Sequence, residues 1–151
     1  MVSQGGFTPS STSYDSQNES HIIVRMKIIR FRELTYTPAS HETPKNPGVW
    51  KKVLLKRDDL INGRVQMINW AKIPVGKAFA KHYHEDMEEV FIMLSGKAEV
   101  TINNEKAVIG IGDVVLVPIG KTHTMRNIGE TDAGYIVLGI ALGKGGKTIN
   151  V

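Results

Sequence analysis

The chain has 151 residues, no cysteine and a formal net charge of +4 at pH 7. That length fits one domain with a substantial core. The missing thiols exclude disulfides, thiolate-held zinc, iron–sulfur clusters and cysteine nucleophiles, so any metal must be held by nitrogen and oxygen.

Apolar residues make up 41% and charged residues 23% of the chain, ordinary values for a globular protein. No apolar run approaches the roughly 20 residues that would span a bilayer. No basic segment followed by an apolar one marks a secretory signal at the N-terminus. The reading is a cytoplasmic protein with no membrane contact. Residues 27–66 hold nine Lys/Arg against four Asp/Glu, whereas residues 67–151 hold nine of each. That excess fits an anionic partner or a solvated basic face. Without interleaved basic and aromatic residues or a recognition helix, it does not indicate nucleic acid.

Residues 1–20 are rich in Ser, Thr, Gln and Gly and bury too little to offset their ordering entropy. Residues 1–25 are therefore expected to be a flexible extension, with Met26 a candidate start of translation. His21 to Leu34 alternates imperfectly and predicts one or two strands. The segment TPASHETPKNPG, with three prolines, reads as a loop, and its His41 as an ordinary solvated loop residue in preference to an extra ligand or a lid residue. Strands are then predicted at Val49–Leu55 and Arg64–Ile73, joined through the turn residues Asp58, Asp59, Asn62 and Gly63.

The stretch GKAFAKHYHEDMEEVFIMLSG, Gly76 to Gly96, organises the rest. On a strand, residues i and i+2 share a face, so His82 and His84 aim two imidazoles to one side while Tyr83 turns away. Phe91 and Met93 share the side of Glu89. Lys97–Ile102, Ala107–Ile111, Val114–Val117, His123–Asn127 and Tyr135–Leu142 follow as strands. Asn103–Asn104 make a hairpin turn, and residues 144–151 are expected to be a flexible tail. About ten short strands and no convincing helix indicate an all-β sandwich or barrel. VFIML, VVLV and YIVLGIAL are apolar on both faces, which implies a second buried face. A homodimer supplies it most simply.

In GDVVLVPIGKTHTMRN, strand parity places His123, Met125 and Asn127 on one face, with Thr124 and Arg126 on the other. At this point the chain resembles the cupin superfamily. Gly76, His82, His84, Glu89 and Gly96 match the first cupin motif, and Gly112, Pro118, Gly120, His123 and Asn127 match the second. The stretch between the motifs, 97–111, has a length typical of small single-domain members. The resemblance implies a double-stranded β-helix (jelly-roll) barrel over residues 26–143 with one divalent metal inside. The ligands it implies are His82, His84, Glu89 and His123; Glu88 is the neighbouring alternative, which parity disfavours. The glycines and Pro118 are then turn residues.

Imidazole and carboxylate suit Fe, Mn, Ni, Zn or Cu without choosing among them, and open coordination positions admit substrate or dioxygen. The function expected is a metal-dependent enzyme on a small molecule, dioxygenase-like or isomerase-like, with no catalytic acid or base identified. Phe91, Met93 and Met125 are candidate pocket residues. The alternatives are a non-catalytic module that binds or senses a sugar or carboxylate through the metal, and a scaffold with a vestigial site.

Overall fold

The computed structural model describes residues 29–60, 64–143 and 145–151. Eleven strands are seen: β1 (Thr37–Pro38), β2 (Trp50–Lys56), β3 (Val65–Ile73), β4 (His82–His84), β5 (Met87–Ser95), β6 (Lys97–Ile102), β7 (Glu105–Gly110), β8 (Val114–Val117), β9 (His123–Asn127), β10 (Ala133–Ala141) and β11 (Thr148–Asn150). They form a six-stranded sheet in the order β1-β2-β3-β10-β5-β8 and a five-stranded sheet in the order β11-β4-β9-β6-β7. Every pairing is antiparallel. Two such sheets of crossing-over strands are the jelly-roll arrangement.

Period-2 patterning decides which face is buried. In β5, Met87, Glu89, Phe91 and Met93 are buried while Glu88, Val90, Ile92 and Leu94 lie outside. In β10, Ala133, Tyr135, Val137 and Ala141 are buried between the sheets. Phe91, Met93, Ala133, Tyr135 and Val137 make one core with Ile73, Phe79, Ala98, Val100 and Met125. The β6–β7 hairpin turns at Asn103, whose φ of 50° is tolerated by asparagine. Gly96 holds φ 75°, and a Cβ there would lie 2.8 Å from both Ala133 Cα and the Asp132 carbonyl oxygen. The turn therefore requires glycine.

Three expectations are corrected. Residues 21–28 lie outside the described residues, and Phe31–Glu33 is a 3-10 turn, not a strand. Its aromatic ring packs on Trp70 with centroids 4.9 Å apart, and Lys52 Nζ donates to the Phe31 carbonyl at 3.0 Å. Packing onto the outer face of β2 and β3 outweighs the strand pattern there. The C-terminal segment is not a free tail, because β11 pairs with β4 in the register Thr148↔His84, Ile149↔Tyr83 and Asn150↔His82. The strand β4 needs a second neighbour for its backbone groups, and TIN supplies it. The third concerns His41 and is taken up with the site. Among the described residues no helix is long and apolar enough to cross a membrane.

Candidate metal centre

Four side chains converge between the sheets. His82 and His84 come from β4 and His123 from β9, in the five-stranded sheet; Glu89 comes from β5, in the six-stranded one. One ligand-type atom from each lies within 4.8 Å of every other, and all four residues are buried. His82 stands directly opposite His123 in the β4–β9 pairing, with ring centroids 4.3 Å apart. Glu88 faces outward, as parity requires.

Hydrogen bonding fixes which ring nitrogens face the centre. His82 Nδ1 lies 2.7 Å from the Ala80 carbonyl and His123 Nδ1 lies 3.0 Å from the Lys121 carbonyl. A carbonyl only accepts, so each Nδ1 carries the proton and each Nε2 presents a lone pair inward. Thr148 Oγ1 holds His84 Nδ1 at 3.2 Å. Glu89 Oε2 sits 3.1 Å from His123 Nε2 and 3.3 Å from His84 Nε2. Nε2 of both His82 and His84 is buried without a hydrogen-bond partner.

Lone pairs aimed at one point repel unless a cation, either a proton or a metal ion, lies among them. Burial alone would raise the Glu89 carboxyl, but the His123 and His84 rings, 3.1 and 3.3 Å from its Oε2, bring it down to about 2. Burial, with a smaller contribution from His123, lowers His82 to about 4 against the opposing bond to Ala80. Three imidazoles and an ionised carboxylate in this arrangement fit a first-row divalent ion. The carbonyl bonds from Ala80 and Lys121 are the outer contacts that orient such ligands.

The cluster opens into a cavity of about 160 Å³. Phe91 lines it, whereas Met93 and Met125 are buried in the core and are not on its wall. His41 lines it instead of facing solvent, which corrects the reading of that residue. Its ring stacks on His82 with centroids 4.1 Å apart and planes 22° from parallel. Burial, with a smaller push from His82, lowers its pKa to about 3. The loop is pinned by Glu42, whose carboxylate accepts from the backbone N–H groups of Gly48 and Ala80.

Lys51 and Asn69 also line the cavity, and sequence reasoning passed over both. The signal for Lys51 was present: it shares strand parity with Val49 and Val53, so an inward Val49 carries a lysine inward. The adjacent Lys52 hid it by making the pair look like surface.

A family model described as "Cupin domain" matches residues 69–139. An uncharacterised protein of Methanocaldococcus jannaschii is 28% identical over 108 residues, covering 72% of this chain and 82% of that one. An oxalate-binding protein of Thermotoga maritima is 26% identical over 115 residues, covering 76% and 94%. Among solved structures, a predicted oxalate decarboxylase from Thermotoga maritima superposes with a TM-score of 0.69 at 26% identity, covering 77% of this chain and all of that one.

Proposed function

The chain is a cupin-domain protein, and from that premise we propose that it is a metal-dependent enzyme acting on a small molecule, by dioxygenase-like oxidation or by isomerisation. The observation that carries this reading is the buried set His82, His84, Glu89 and His123, with two imidazole nitrogens unpartnered and with His82, His84 and Glu89 on the wall of a cavity. A divalent ion held there would act as a Lewis acid toward a bound oxygen atom. The chain's own part is to orient and to exclude water. The carbonyls of Ala80 and Lys121 hold two imidazoles in the required tautomer. Phe79 and Phe91 pack against His123, with centroids 5.9 and 6.1 Å away, and keep that side of the site dry.

A second reading is a module that binds a ligand through the metal without turnover. The oxalate-binding relative favours it. Elemental analysis of protein purified without chelator or affinity metal tests both against a vestigial site. About one equivalent of one divalent element per chain is expected, and a metal-free protein that takes up none on reconstitution defeats both readings. Consumption of a substrate by the loaded protein, against ligand-dependent thermal stabilisation alone, then separates enzyme from binding module.

We also propose that the domain pairs as a homodimer through the outer face of the six-stranded sheet. There Trp70, Ile136, Ile92 and Val114 form one cross-strand row, and Ile68, Leu138, Val90 and Leu116 the next. Val114 and Leu116 are 61% and 52% exposed, and a contiguous apolar face of this kind marks an interaction surface. Light scattering should give twice the chain mass for the wild type and a monomer for Leu138→Lys. A wild-type monomer at micromolar concentration removes this proposal.

A further inference from the structure

The cavity wall carries polar groups with nothing to bind. Lys51 extends inward from β2, and among the described residues its ammonium makes no hydrogen bond or ion pair. Asn69 is 3% exposed and its Oδ1 is buried without a partner; His41 Nε2 is in the same condition. A buried polar atom left unpaired costs stability, so two of them on one cavity wall, with the half-buried Lys51 ammonium beside them, point to a ligand that pairs them.

Charge gives that ligand a sign. Glu89 is the one carboxylate on the cavity wall among the described residues. With a divalent ion beside it and the imidazoles neutral, the centre carries about +1, and Lys51 adds another positive charge. Glu42, the nearest other carboxylate to His41, is already engaged by the N–H groups of Gly48 and Ala80. An anion is what neutralises such a wall, and about 160 Å³ holds an acid of a few carbons.

We propose that Lys51 is an anion anchor, and that the molecule taken by the site is a small carboxylate held between the Lys51 ammonium and the metal centre, with a hydroxyl or similar donor for Asn69. This rests on the metal-dependent reading above and names its substrate class. Burial holds the Lys51 ammonium below the ordinary lysine range, against an upward pull from Glu89. The same desolvation strengthens an ion pair formed there.

The test is calorimetric titration of Mn²⁺-loaded and metal-free protein with lactate and acetate, each beside its neutral amide. Loaded wild type should bind at least one of the acids about tenfold more tightly than its amide. Lys51→Met should weaken that acid by about ten- to a hundredfold, as loss of a charged hydrogen bond does. It should leave the amide unchanged and Mn²⁺ affinity undiminished, and Lys51→Arg should keep the preference for the acid. Equal binding of acid and amide by wild type, in both metal states, overturns the proposal. So does a Lys51→Met protein that binds the acid as wild type does. Failure of wild type to bind Mn²⁺ defeats the metal reading separately, and the metal-free titrations still decide the role of Lys51.

Discussion

Replacing His123 with alanine should leave a folded chain that no longer holds metal. His123 lies at the middle of the cluster: it faces His82 across the strand pairing, and its Nε2 is 3.1 Å from the Glu89 carboxylate. Removing an outer-contact residue at a metal site costs about ten- to a hundredfold in affinity, and removing a ligand should cost at least the upper figure. Metal retained after dialysis should therefore fall from about one equivalent to background, with any turnover lost in parallel. An alanine variant that keeps a full equivalent would mean the ion is held elsewhere. Acidification of the wild type checks the same assignment. Protons compete with the ion for imidazole, and the His82 pKa, lowered from 6.5 to about 4, keeps that ring an available ligand through pH 5. Release on acidification should therefore need a lower pH than loss of an exposed histidine ligand would.

The second large effect is on stability. Asn127, at the end of β9 and 1% exposed, donates through Nδ2 to the carbonyls of Ile73 at 2.9 Å and Thr131 at 2.8 Å. Its Oδ1 accepts from Gly129 N–H at 2.8 Å. One amide thus joins the end of β3 to the turn that leads into β10. Leucine has a similar volume but strands three backbone groups, at about 1–3 kcal/mol each when desolvated. Asn127→Leu should cost about 4 kcal/mol and lower Tm by more than about 10 °C in thermal denaturation. Asn127→Asp keeps the acceptor for Gly129 and points a second oxygen at two carbonyls. It should be comparably destabilising at neutral pH and partly recover in acid, as protonation returns one donor. An aspartate variant as stable as wild type at pH 7 would show that these bonds contribute little.

The four-residue cluster was legible because it obeys a local rule. His82, His84 and Glu89 fall on buried faces by strand parity alone, and the resemblance of Gly112–Asn127 to the second cupin motif added His123. Lys97–Ile102, Val114–Val117 and His123–Asn127 were placed with their observed bounds, since alternation and flanking turn residues agree there. The cavity wall was harder to read. His41 reaches it from an irregular loop, whose path is fixed by the long-range bonds of Glu42 to Ala80 and of Asn150 to the His41 carbonyl. No periodicity encodes contacts 38 and 109 residues apart. The C-terminal strand was missed for a related reason: glycines and lysines surround TIN, and only the exposed edge of β4 gives it something to pair with.

The four candidate ligands are divided between the sheets, with the carboxylate on one and all three imidazoles on the other. An ion seated there would clamp the two halves of the sandwich, like a rivet through two plates. Such a clamp closes only after both sheets have formed and come together, so it is absent from an early folding nucleus. It would slow the parting of the sheets far more than it hastens their assembly, and the lifetime of the folded molecule, more than its speed of folding, would record whether the metal is present.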